Sequence, residues 1–270
     1  MIPIKNRRPH PPALCLSLLL TALFCWQNAG AEPLDKKVFA SRAESAWRAA
    51  RADYQSATNG SPAAWRFARA CYNLADFATN EQQRADLAKQ GIDACHQLLV
   101  SQPQSGPAFY YLGMNQGQLA RTKLLGALKL VREMEHNFKT AWTLDPQVDH
   151  GGPARSLGLL YREAPAWPLS VGGKYKARQW LDRAVQFDPV FPENLLVLCE
   201  SDLRWDEVPA VAEKLKQLDA VWPRAQTNFT GAAWSADWAD WTARRNSLRA
   251  KIAEKQDADN DSAKSSRRSD

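Results

Sequence analysis

The side chains that could do chemistry in this chain are few and scattered. Of its four histidines, His10 lies at the extreme N-terminus, and His96, His136 and His150 stand apart from one another. None belongs to a His-Glu-x-x-His helix, which would set two imidazoles on one face to hold zinc, and no two cysteines have metal-ligand spacing. No serine sits in the strand-to-helix elbow that would present it as a nucleophile. Glu133, Glu135 and His136 are close in sequence, but on a charged helical stretch a solvated face is a better account of them than a metal site. Gly151-Gly152 and Gly172-Gly173 lack both the following Lys-Ser/Thr and the glycine spacing of phosphate-binding loops. These residues describe a protein that is not an enzyme and has no cofactor.

Groups suited to recognition are more abundant. The stretch Leu119 to Arg132 is amphipathic and basic, a makeup that in isolation would suit a membrane surface. A repeat core helix is the preferred reading: Leu124, Leu128, Val131 and Phe138 pack inward, while Arg121, Lys123, Lys129 and Arg132 face a groove suited to a carboxylate or other anion. Further along, Asp149, Gly151, Gly152, Arg155, Tyr161, Trp167, Gly172 and Gly173 fall within one interval. The segment Ala164 to Gly173 holds two prolines and a double glycine, so it cannot be regular helix. It is either a lengthened surface turn or a binding edge built around Trp167 between prolines. Arg121, Lys123, Arg155, Tyr161 and Trp167 are the candidate lining of a cleft.

The elements that must position these groups are helices. Apolar residues recur at three- and four-residue spacing from about residue 35 onward, with no alternation long enough for a strand. Helices are expected near 35–57, 62–78, 80–100, 107–119, 120–144, 153–163, 174–187, 192–205, 207–220 and 232–256. Ser61 with Pro62 reads as a cap followed by proline in the first turn, and Thr79 with Gln82 has capping-box spacing. Pro103, Pro146 and Pro189 recur at intervals of 43 residues, each closing a helical stretch. Self-similarity at such a period marks stacked helical hairpins. In the first interval the extra length is expected inside the helices, with one short break near Gly117; in the second it forms the Trp167 loop. Trp234, Trp238 and Trp241 share one face of the last helix, either docking it as a cap over the array or serving as an oligomer or partner surface.

The repeat residues resemble tetratricopeptide repeats. Leu112-Gly113, Phe138, Ala141 and Pro146 fit one unit, and Leu157-Gly158, Tyr161, Ala177, Leu181, Ala184 and Pro189 fit the next. The expected fold is therefore all-α: tetratricopeptide-like hairpin repeats in a short α-solenoid, with a C-terminal capping helix. Across roughly residues 60 to 205 the chain is also similar to the T component associated with TRAP transporters, through Tyr111-Leu112-Gly113, Lys123 to Ala127, Leu144-Asp145-Pro146, Asp149 to Tyr161, Pro168-Leu169, Gly172-Gly173-Lys174 and Lys176-Ala177. That resemblance implies a periplasmic scaffold, able to form a homo-oligomeric ring, that docks an extracytoplasmic solute-binding protein. Family members are often lipoproteins, and this chain departs from them in having no clear lipidation site. The alternative function is a stand-alone protein that binds a small apolar or carboxylated ligand.

The address of the protein follows from its ends. Lys5, Arg7 and Arg8 precede an apolar run from Ala13 to Trp26 and then Asn28-Ala29-Gly30-Ala31, the order of a secretory signal cut near Ala31. The organisation expected is signal peptide 1–31, helical-repeat domain 32–256 and disordered tail 257–270, the tail lacking apolar residues larger than alanine. The mature protein is expected to be periplasmic or secreted and soluble, meeting a membrane only indirectly. The whole chain has a formal net charge of +6, and the signal carries three of its basic residues and no acidic ones, so the remainder is nearly balanced. That argues against nucleic acid as a partner. Cys71, Cys95 and Cys199 remain after cleavage. A Cys71–Cys95 disulfide has to overcome an offset of about 10 Å between antiparallel helices; otherwise these are small buried hydrophobes.

Overall fold

The structure is a computed structural model and describes residues 33–58, 61–123 and 126–269. The expected signal segment and cut near Ala31, the expected Asn59-Gly60 turn and the expected inward packing of Leu124 lie outside the described residues.

Ten α-helices and no named strand make up the described chain. They are α1 (Pro33–Ser56), α2 (Ala63–Ala75), α3 (Glu81–Ser101), α4 (Gly106–Arg121), α5 (Ala127–Leu144), α6 (Gly152–Glu163), α7 (Lys174–Phe187), α8 (Pro192–Arg204), α9 (Val208–Asn228) and α10 (Ser235–Ser269), with a 3-10 turn (Ala232–Trp234) before the last. Each helix packs on the next: α2 with α3, α4 with α5, α6 with α7 and α8 with α9 form hairpins that stack through α3–α4, α5–α6 and α7–α8. Additional contacts join α2 to α4 and α6 to α8, so the first helices of the hairpins form a common layer. The result is an all-α helical-repeat fold.

The repeat period has a physical basis in these contacts. A Cβ on Gly113 would stand 2.5 Å from the Phe138 ring, and one on Gly158 would stand 2.5 Å from Leu181. Glycine therefore lets each first helix lie against its partner, with Ala141, Ala177 and Ala184 completely buried at the same crossings. The prolines follow matching turns: Asp145 Oδ1 accepts the Gln147 amide at 3.1 Å, and Asp188 Oδ1 accepts the Val190 amide at 3.2 Å. Each aspartate closes its turn with the same side-chain bond before the next helix begins.

Two large apolar cores result among the described residues, with smaller clusters beside them. One runs from α2 to α7 around Tyr110, Tyr111, Val131, Phe138 and Leu157. The other joins α8, α9 and α10 around Phe191, Leu196, Leu218, Trp222 and Trp241. The tryptophan stripe thus docks α10, with Trp241 only 2% exposed.

Several local expectations shift. The break in the first interval falls between α4 and α5, not at Gly117, which is buried inside α4. The chain turns instead at Gly126, whose φ of 83° is one that side-chain-bearing residues rarely adopt. The cap of α3 is Asn80, whose side chain accepts the Gln83 amide, while Gln83 receives the Thr79 amide and hydroxyl. Helix α9 runs beyond the expected end at 220, through Pro223 to Asn228. The loss of one backbone donor there is offset by the burial of Trp222, Ala225 and Phe229 along one side. The helical backbone of α10 continues to Ser269, past the boundary at 256 that composition suggested. Once a helix is nucleated by docking, each further residue is added at little cost.

Cys71, Cys95 and Cys199 are all buried and unbridged, which corrects the candidate Cys71–Cys95 disulfide. Their environment suits thiols: burial pushes Cys71 and Cys199 up to about 12 and Cys95 higher still.

Candidate functional site

The candidate residues separate into three places. Asp149, Gly151, Gly152 and Arg155 form a closed corner between α5 and α6. Trp167, Gly172 and Gly173 belong to the loop between α6 and α7, with Tyr161 of α6 at its base. Arg121 and Lys123 lie at the end of α4.

At the corner, Asp149, His150 and Gly151 are three successive residues with φ of 52°, 56° and 79°. Two of them are not glycine, and such backbone persists only where surrounding contacts enforce it. Arg155 supplies those contacts. Its guanidinium donates to Asp149 Oδ2 at 2.5 Å, the Asp149 carbonyl at 3.2 Å, the His150 carbonyl at 3.5 Å and Asn194 Oδ1 at 2.8 Å. It also lies over the Phe191 ring, 5.2 Å from the centroid. The Tyr110 hydroxyl donates to Asp149 Oδ2 at 2.7 Å. Burial, reinforced by Asp149, pushes that phenol well above its ordinary range, so it remains a neutral donor.

Asn194 extends the network into the next repeat, donating to the carbonyls of His150, Ala184 and Asp188. His150 Nδ1 is 2.8 Å from Asp188 Oδ2, and its ring stacks on Phe191 at 4.4 Å. Gly152 is required by space, because a Cβ there would stand 2.7 Å from the Tyr110 hydroxyl. With Arg155 only 7% exposed and its donors engaged inside the chain, this corner locks one repeat to the next.

The α6–α7 loop is built differently. Its base is closed by the Gly172 amide on the Pro165 carbonyl and the Gly173 amide on the Tyr161 carbonyl, both at 2.9 Å. A Cβ on Gly172 would lie 1.9 Å from the Ala164 carbonyl oxygen, whereas one on Gly173 would meet nothing within 4 Å. Tyr161 anchors the base from below: its hydroxyl donates to Glu135 Oε1 at 2.6 Å, and Lys176 lies over its ring. Burial and that carboxylate push the Tyr161 hydroxyl far up, while hydrogen bonds from Lys139 and Tyr161 outweigh burial and hold Glu135 below its ordinary value. Beyond this fixed base the tip turns outward, with a cis peptide between Trp167 and Pro168. Trp167 is 84% exposed, Leu169 62% and nearby Tyr175 75%.

The expected cationic groove does not form along α4 and α5. Arg121 turns to Asp76, at 3.5 Å, and to Gln118. Lys123 is exposed in the turn, Lys129 pairs with Glu133 across one helical turn, and Arg132 is exposed on α5. The turn at Gly126 interrupts the periodicity that would have aligned them. Glu133 and Glu135 are used by Gln116 and Tyr161, and among the described residues no group of three or more His, Cys, Asp or Glu side chains is placed to hold a metal ion.

Two features were missed in sequence. A cleft of about 800 Å³ opens between α1 and the α2–α3 hairpin, lined in part by Trp47, Leu74, Phe77 and Leu87. It depends on how α1 lies, which periodicity does not specify. The second is a group of carboxylates where α10 meets α8: Glu193, Glu200 and Asp240 around Arg244, with Asp237 one turn earlier near Glu193. Asp237, Asp240 and Arg244 recur at three and four residues within the tryptophan stripe, so their spacing carried the signal.

No protein-family model matches the chain, and comparison with curated proteins finds no match. The class is therefore set by the structure: an all-α array of helical hairpins with one closed polar corner and one projecting apolar loop. No helix among the described residues is long and apolar enough to cross a membrane.

Proposed function

We propose that this chain is a non-enzymatic periplasmic scaffold whose helical array holds the Trp167 loop rigidly against a protein partner. The observation that carries the reading is the contrast within that loop: a base fixed by backbone bonds and a tip that leaves Trp167 and Leu169 in water, with exposed Tyr175 at the start of α7 beside it. Large apolar side chains presented without entropy loss are what binding anchors require. The likeness of the repeat residues to the TRAP-associated T component nominates an extracytoplasmic solute-binding protein as the partner.

The test is direct binding of the chain to an extracytoplasmic solute-binding protein of the TRAP type, by titration calorimetry. The Trp167→Ser/Leu169→Ser double variant should weaken the complex on the order of 30-fold or more, the usual effect of removing hot-spot anchors. Undiminished affinity would remove the loop as the contact.

The cleft between α1 and α2–α3 supports a second reading, in which the chain acts alone on a small ligand. Its size matches ligand pockets, and it combines Trp47, Leu74 and Phe77 with Lys37 and the amides of Asn80, Gln82 and Gln83. A carboxylated apolar molecule that co-purifies with the chain, and that Trp47→Ala releases, would favour this reading over the scaffold.

A further inference from the structure

The start of α10 is held against the inner layer by an interface rich in carboxylates. The Arg244 guanidinium donates to both oxygens of Glu200 at 2.6 and 2.8 Å, to Glu193 at 2.8 Å and to Asp240 at 2.8 Å. Trp241 Nε1 donates to the same Glu193 oxygen at 2.9 Å. One guanidinium thus serves three carboxylates. A fourth, Asp237, one turn earlier on α10, is open to water but faces Glu193 of α8 and Asp149 of the α5–α6 turn.

The remaining charges around this interface do not remove the excess. Arg69 of α2 is within electrostatic reach of Asp149 and Asp237, and this single cation offsets only part of the negative charge there. Arg155 of α6 is committed to Asp149, and Arg162 of α6 to Glu163 and Ser201, though both lie within electrostatic reach of the α8 glutamates. His150 is paired with Asp188. From α9, Asp219 faces α10 and is matched by Arg245 and Arg249 further along. Lys255 engages Asp206 still later. The carboxylate surplus is thus concentrated in the first turns of α10.

Those turns have the form of a hinged element. The segment leaves α9 at Phe229 and reverses at Gly231, with φ of 89°, a conformation glycine adopts readily. Trp238 Nε1 fastens it to the Phe229 carbonyl at 2.6 Å, and Arg42 of α1 donates to the Ser235 hydroxyl from the far end of the chain. Trp234 lies 6.0 Å from the His150 ring, over the locked corner.

We propose that the segment from Gly231 to Arg244 is a proton-sensitive latch, closed over the inner layer in mildly acidic surroundings and released about Gly231 when its carboxyl groups ionise. Partial burial, then Glu193 and Asp149, push the Asp237 carboxyl up toward about 7, a rise that its water-exposed side reduces. Burial, opposed by Arg244 and aided by Glu193, raises Asp240 to about 6. Both groups hold protons more tightly when docked than when free, against an ordinary value of 3.8. Docking is therefore strongest below pH ~4 and weakens as pH rises through about 7. Asp237 and Asp240 alone would give a hundredfold change or more over that range; with Asp237 open to water, opening should increase on the order of tenfold between pH 5 and 8.

Hydrogen exchange of the mature chain, corrected for the chemical exchange rate at each pH, tests this. Peptides from α10 should lose about tenfold protection between pH 5 and 8 while α4 and α6 hold theirs. Asp237→Asn/Asp240→Asn, which fixes both side chains in neutral form, should keep α10 equally protected at both pH values. If the double substitution unsettles the fold, α4 peptides will report it, and the water-exposed single change Asp237→Asn should still reduce the pH dependence. An α10 that loses no protection, one that loses it together with α4, or an Asp237→Asn chain with undiminished pH dependence would overturn the latch.

Discussion

The corner at Asp149–Arg155 and the loop at Ala164–Gly173 flank the same helix, α6, yet they solve opposite problems. The corner takes an arginine and an asparagine out of water, half-buries an aspartate and gives each a partner within the chain. The loop spends its hydrogen bonds on its own base and leaves its apolar tip unpartnered. Residue types alone suggest the reverse, since arginine and aspartate are the usual candidates for binding. Charge indicates a ligand site only where its partners are missing. Here it is the apolar groups that lack partners.

The largest expected effect tests the closed half. Arg155→Met leaves the half-buried Asp149 beside Tyr110 without its cation and releases the carbonyls of Asp149 and His150. Breaking a fully buried pair by removing one partner costs about 3–5 kcal/mol, and the lower end of that range applies where the remaining carboxylate is half-buried. For a domain of this size that is a fall in Tm of roughly 10 °C in thermal melts, since each kcal/mol moves Tm by about 2–4 °C. Adding Asp149→Asn should recover part of the loss, because the two residues act through one contact. An Arg155→Met protein that melts with the wild type would show that the corner is not a lock.

A smaller effect separates the two glycines at the loop base. Gly172→Ala would push a methyl to within 1.9 Å of the Ala164 carbonyl oxygen, a backbone atom with little freedom to move. A destabilisation of about 1–3 kcal/mol is expected from this overpacking. Gly173 has an extended backbone and open space around its Cβ position, so Gly173→Ala should change stability by no more than about 0.5 kcal/mol. Equal losses in the two variants would mean that the base is less tightly closed than its hydrogen bonds indicate.

How much of this was legible beforehand depends on the range of the interaction. The helices were readable because each carries its own apolar period. The Leu-Gly and alanine positions were readable because close helix packing leaves few residue types able to fit. Gly126 was not recognised as the breakpoint: the basic run around it keeps helical periodicity, and only the backbone reversal reveals the turn. The role of Arg155 was hidden because its partner Asn194 lies 39 residues away and nothing in either local sequence marks the pair. The carboxylates of α10 were visible as letters, but their surplus exists only once α8 supplies Glu193 and Glu200. Trp167 was recognisable as a projecting residue because prolines and glycines define its loop without help from the rest of the fold.

The smallest expected effect is the one that distinguishes the halves most sharply. Trp167→Ser/Leu169→Ser removes two large apolar side chains, which in either core would cost several kcal/mol. At 84% and 62% exposure they have few contacts to lose, and the loop base that carries them is untouched. Thermal and urea unfolding should therefore place this variant within about 0.5 kcal/mol of the wild type, with an unchanged m-value because no additional surface becomes exposed. Trp167 then has no structural task in the isolated chain, and the same substitution that leaves folding intact becomes a clean probe of binding. A loss of 2 kcal/mol or more would mean that the tip folds back on the array in solution, and the contrast with the corner would disappear.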